Sequence, residues 1–162
     1  MLVISNHLIG KMPIPEEAVI RINLAWIDNL SDANRILDES KNDVYLDFPS
    51  GRTKPPQPKI GLNAAMALTQ HKSVKYFAVS NCENTKDMQE IMKEIDVEFI
   101  PKIETKLGIK NMQKMVDIGI KTFMLDKEDL YVDVNCDSKR YSELVEEARK
   151  FNIIELQGVV FI

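Results

Sequence analysis

Residues 98–131 read EFIPKIETKLGIKNMQKMVDIGIKTFMLDKEDLY, and this stretch sets the fold class. It opens on a β-prone apolar run, Glu98–Ile103. Ile109, Met112, Met115 and Val116 then recur at helical spacing within 109–118, and a second apolar run follows at Thr122–Leu125. A strand, a helix and a strand of these lengths form a crossover unit. The helix must pack back onto the sheet, so the two strands run parallel.

The same alternation extends in both directions. Further strands are expected at Leu2–Ile4, Val19–Leu24, Val44–Phe48, Val74–Val79 and Ile153–Leu156, with a last piece at Val159–Ile162. Helices are expected over 31–40, 62–70, 85–95 and 138–151, with Ser31 and Thr85 as N-caps of the first and third. Most of the strands are apolar along their whole length, as strands covered on both faces must be. A closed barrel and an open doubly wound sheet both fit. No glycine-rich phosphate loop follows any strand, so dinucleotide binding has no support.

In parallel α/β proteins, ligands bind at the C-terminal ends of strands. Polar residues gather there in this chain. Arg21 and Asn23 lie in VIRINLA, Asp47 in VYLDF, Ser80 and Asn81 after YFAV, Lys102 and Glu104 in FIPKIET, and Asp126, Glu128 and Asp129 after TFML. Residues two apart on a strand share a face, which pairs Arg21 with Asn23 and Lys102 with Glu104. Glu104 and Asp129, on neighbouring strands, suit Mg²⁺ or Mn²⁺, which take oxygen ligands and commonly one or two carboxylates. Such an ion can chelate a 2-keto acid and stabilise the enolate that forms from it. Arg21 or Lys102 would offset carboxylate or phosphate charge. Pro49–Pro58, with four prolines and a glycine, is a constrained loop. It carries Arg52 and Lys54, either as a solvated connection or as an active-site loop.

Bulk composition narrows the partners. The chain has 162 residues, is 44% apolar and carries a net charge of -4 without a basic patch, so a nucleic-acid partner is not expected. Two cysteines form neither a disulfide framework nor a zinc signature, which is expected of a cytoplasmic protein. No run approaches the roughly 20 apolar residues of a membrane span, and the N-terminus lacks the features of a signal peptide. His7 and His71 lack metal spacing, and the methionines sit mostly on helix stripes as core filling.

The Pro101–Tyr131 block resembles two related barrel groups. One is pyruvate kinase, with its Lys-Ile-Glu strand, Gly-x-x-Asn helix and Gly-Asp-Leu turn. The other is the citrate lyase β-subunit and 2-keto-acid aldolase group, with its Glu-Thr strand and downstream Asp-Leu. VIRINLAWID and VYLDFPSGRTK are similar to the Arg-x-Asn and Leu-Asp strands of the kinase, so the likeness covers about residues 18 to 135. The resemblance implies a single parallel (β/α) barrel of the TIM type. At 162 residues, against about 250 for a full barrel, it would be shortened to about seven units. It implies Glu104 and Asp129 as metal ligands and Lys102 and Arg21 as catalytic cations. Asn23 and Asp47 would stand near the kinase's monovalent-cation site, and Arg52 would reach toward phosphate. The expected activity is divalent-metal-dependent enolate chemistry, of lyase or aldolase type, on a small 2-keto acid or phosphorylated enol. The alternative is a degenerate binding or regulatory domain that acts through a partner protein. An unpaired sheet edge favours a homo-oligomer or a partner chain that completes the barrel. The chain departs from the kinase at Ala25, Phe48 and Lys127-Glu128, where the kinase has serine, threonine and Arg-Gly, and it lacks the inserted nucleotide-capping domain.

Overall fold

Five β-prone runs assemble into one parallel ladder. β1 (Val3–Ser5), β2 (Val19–Asn23), β3 (Val44–Phe48), β4 (Val74–Val79) and β5 (Glu98–Phe99) pair in sequence order, each parallel to the next. A second parallel ladder holds β6 (Lys102–Ile103), β7 (Phe123–Asp126) and β8 (Ile153–Leu156). These elements come from a computed structural model that describes residues 2–8, 10–51 and 55–156. The chain divides into two compact units, Met1–Val79 with Glu90–Phe99, and Ser80–Gln89 with Ile100–Ile162.

The α/β class with parallel strands is as expected, but the closed barrel is not. Neither ladder closes on itself, and eight strands form two separate sheets among the described residues, rather than about seven units in one ring. The expected strand Glu98–Ile103 is the point of division. It is interrupted at Ile100 and Pro101, so Glu98–Phe99 pairs with β4 while Lys102–Ile103 pairs with β7. Proline has no N–H to give a ladder, and it restricts the residue before it. The candidate piece at 159–162 lies outside the described residues.

In the first unit the core follows from strands buried on both faces. All five residues of β3 are buried, including Tyr45 and Leu46, and Phe77 of β4 is fully enclosed. Tyr45 stacks on Tyr76 at 6.3 Å between ring centres, and Phe77 meets Phe99 at 6.4 Å. α1 (Leu30–Glu39) buries Ala33 and Leu37 and exposes its charged face. Its cap is Asn29, which accepts from the Asp32 N–H at 3.0 Å, and not Ser31. α2 (Leu62–Leu68) buries Ala65 and Leu68. α3 (Thr85–Glu94) starts one residue after Asn84, whose Oδ1 accepts from the Asp87 N–H at 3.1 Å, so Asn84 takes the cap expected of Thr85.

The second unit buries Met112 and Met115 of α4 (Lys106–Asp117), Phe123 to Leu125 of β7, and Leu144 and Val145 of α6 (Ser138–Ala148). The methionines fill core there, as their spacing predicts. Between β7 and α6 lies α5 (Lys127–Asp133), a short helix that the charged sequence LDKEDLY does not announce. Among the described residues, no helix is long and apolar enough to cross a membrane.

Candidate functional site

The second unit concentrates charge at the ends of β6 and β7. Lys102 pairs in register with Met124, and Ile103 with Leu125, so the residues that leave these strands, Glu104 and Asp126, emerge side by side. Thr105 then caps α4 by accepting the Gly108 N–H at 3.0 Å. Asp126 caps α5 by accepting the Asp129 N–H at 3.3 Å, and this first turn brings Asp129 back toward Asp126. One carboxylate oxygen each from Glu104, Asp126 and Asp129 lies within 4.8 Å of the other two.

One ammonium sits among these acids. Lys102 Nζ lies 2.9 Å from Glu104 Oε1 and 3.7 Å from Asp126 Oδ2, and it donates to Ser80 Oγ at 3.1 Å. The other Glu104 oxygen, Oε2, accepts the Asn81 N–H at 2.7 Å. Lys102 and Glu104 are only 4% and 5% exposed, while Asp126 and Asp129 are half-buried and open the cluster on one side. Burial pushes the Glu104 carboxyl above its ordinary pKa, against the pull of the Lys102 charge and its hydrogen bonds. Nearby Cys82 is pushed up to about 12, mainly by burial and then by the Glu104 charge. The donor set is all oxygen. That is the chemistry of Mg²⁺ and Mn²⁺ rather than of zinc in a thiolate site.

Glu104 and Asp129, expected as ligands, are therefore brought together with Lys102. Asp126 completes the group. Its position after TFML marked a polar strand end, but its part in a cluster depends on the α5 turn, which the sequence hides.

The first unit treats its expected residues differently. Arg21 Nε donates to Asp47 Oδ2 at 2.8 Å, and Arg21 Nη2 contacts the same oxygen. Asn23 Oδ1 accepts the Ala25 N–H at 2.9 Å and caps the turn Leu24–Trp26. These contacts give each of the three a structural task, and their ligand-binding roles rest on the motif alone. Arg52 lies outside the described residues. His7 Nδ1 is 2.7 Å from Ser5 Oγ. His71 bridges Ser73 Oγ at 2.8 Å and Asp38 at 3.0 Å, which ties the end of α1 to the turn before β4. The Ser73 N–H also reaches His71 Nδ1 at 3.3 Å, as in a local turn clasp.

No family model matches the chain, and no curated protein matches it.

Proposed function

We propose that the second unit binds a divalent cation, Mg²⁺ or Mn²⁺, on Glu104, Asp126 and Asp129. We further propose that this centre serves enolate chemistry on a small 2-keto acid or phosphorylated enol, as a lyase or aldolase built on the phosphoenolpyruvate/pyruvate scaffold. The observation that carries the cation site is the meeting of three carboxylates within 4.8 Å of one another. A divalent ion there would be held by carboxylate oxygens alone, in a cluster that is partly buried. The enolate chemistry comes from the resemblance of Pro101–Tyr131 and not from the geometry.

An ion held there would supply the positive charge that an enolate oxygen requires. The chain's own groups do the rest. Ser80 and Glu104 hold the Lys102 ammonium in one orientation, where it can offset negative charge that develops on a substrate oxygen. Ile103 and Leu125, the strand residues just before Glu104 and Asp126, are both fully buried. Arg21, Asn23, Asp47 and Arg52 enter this reading as substrate-binding residues only through the motif.

Calorimetric titration of the full chain with Mn²⁺ tests the cation site. Saturable binding is expected, and Glu104→Gln or Asp129→Asn should weaken it by about 100-fold or more. A wild-type chain that binds neither Mn²⁺ nor Mg²⁺ would end the proposal. A second reading, the degenerate binding domain, draws support from Lys127. It stands where the kinase has arginine, is ion-paired to Glu155 at 3.0 Å and opens a helix, so the kinase's glycine turn has no counterpart. Release of pyruvate from a panel of 4-hydroxy-2-keto acids separates the readings, because a degenerate domain releases none.

A further inference from the structure

We propose that Trp26, with Leu30, centres a surface on which the first unit pairs with a second copy of this chain about a two-fold axis. The local fold is what turns the tryptophan outward. Leu24, Ala25 and Ile27 are all buried, while Trp26 among them is 69% exposed. Asn23 caps this turn through the Ala25 N–H, and the Ile27 N–H closes it on Leu24 O at 3.3 Å. The turn therefore spends its three smaller apolar side chains on the core and leaves the largest outside. Leu30, the first residue of α1, is 43% exposed only four residues further on. A single exposed leucine is ordinary on a protein surface. A tryptophan is not, because covering it removes about 150–250 Å² from water. Tryptophan is also enriched among the residues that carry the energy of protein interfaces.

The charges beside the tryptophan indicate what covers it. Asp28 lies two residues after Trp26, and its exposed carboxylate pairs with the exposed ammonium of Lys59, which follows the proline-rich stretch. The patch thus has an apolar centre with one acid and one base on its rim. A two-fold contact brings the same patch from both partners together, so it must be complementary to itself. This one is. Asp28 of one copy meets Lys59 of the other, Lys59 meets Asp28, and the apolar centres cover each other. A partner with a uniformly acidic or basic surface would set a like charge against one side of the rim. Exchanging an exposed pair within the chain for one between copies costs little, since such pairs contribute little where they stand. The patch is small, so the dimer belongs with the weak class of contacts that bury less than about 1,200 Å².

Sedimentation velocity of the full chain from about 1 μM to about 1 mM measures the association. The fluorescence of the one tryptophan in the chain reads the surface itself. Wild type should pass from monomer to dimer across this range, and acrylamide quenching of Trp26 should fall as the dimer forms. Trp26→Ser should weaken association about tenfold or more. Asp28→Lys and Lys59→Asp, both at exposed positions, should each weaken it about threefold. Mixed in equal amounts, the two charge variants should regain the wild-type affinity, because each altered charge then faces its opposite across the contact. Circular dichroism checks that each variant is folded, and the charge variants carry the test alone should Trp26→Ser fail to fold. The proposal is overturned if wild type stays monomeric throughout, if folded Trp26→Ser associates as tightly as wild type, or if the mixture associates no better than its parts. An assembly that grows beyond two copies overturns it as well, since a two-fold contact closes on itself.

Discussion

The two units each set a cation beside a buried carboxylate, and they surround it differently. In the first, Arg21 meets Asp47 through Nε and Nη2, and these two contacts fall on the same carboxylate oxygen. In the second, Lys102 is one charge among three acids. Three carboxylates drawn together are costly unless something offsets their repulsion, since desolvated like charges repel strongly. The difference separates a structural ion pair from a candidate site, although both sit at strand ends and the sequence marks both alike.

The largest test of that contrast is Lys102→Met. Removing one partner from a buried ionic cluster typically costs about 3–5 kcal/mol, and here it would leave the buried Glu104 near two acids without the Lys102 ammonium. In metal-free buffer the variant should lose stability on that scale, measured by denaturant unfolding. Mn²⁺ should then stabilise it more than it stabilises wild type, because the ion replaces the missing charge. Equal stabilisation of both chains would mean that the surplus of acid does not call for a cation.

The matching change in the first unit is Asp47→Asn. Asp47 is 0% exposed, whereas Arg21 is 19% exposed in its side chain and keeps some access to water. The loss should be about 1.5–3 kcal/mol, the range for a hydrogen bond to a charged group, and Mn²⁺ should leave it unchanged. A stability that responds to Mn²⁺ in this variant would erase the distinction between the two units.

Much of this contrast can be read from the sequence, and the unread part has physical causes. The alternation of apolar runs and helical stripes follows from burial, so the parallel strands are legible. Lys102 and Glu104, two residues apart, are legible as a pair because a strand puts them on one face. The division of the expected strand Glu98–Ile103 is harder to see. Pro101 signals it, but the apolar character of the run outweighs one proline when periodicity is the guide. Asp126 is missed for another reason. Three acids within four residues look like a solvated turn, and only the α5 helix turns Asp126 and Asp129 inward together. The caps at Asn29 and Asn84 show the same limit on a smaller scale, since Ser31 and Thr85 are equally good capping residues at neighbouring positions.

The smallest expected effect lies at the rim of the second unit, where charge is balanced among partly exposed groups. Glu155 on β8 accepts from Arg149 Nε at 2.7 Å and from Lys127 Nζ at 3.0 Å, and Arg149 also reaches Glu146 at 2.6 Å. The Arg149 hydrogen bonds, with help from Lys127, lower the Glu155 carboxyl from 4.5 to about 2. A depressed carboxylate stabilises the fold at pH values above its unfolded pKa, and that stabilisation fades as pH falls toward the folded one. Glu155→Gln should therefore cost about 1 kcal/mol at neutral pH, the scale of a surface ion-pair network. The gap in Tm between variant and wild type should close between pH 4.5 and about 2. Added salt should shrink it at neutral pH, because these groups are partly exposed. The Lys102→Met loss, set among buried groups, should resist the same salt. A Glu155 effect that ignored salt, or a Lys102 effect that salt removed, would place the surplus charge at the rim rather than in the cluster.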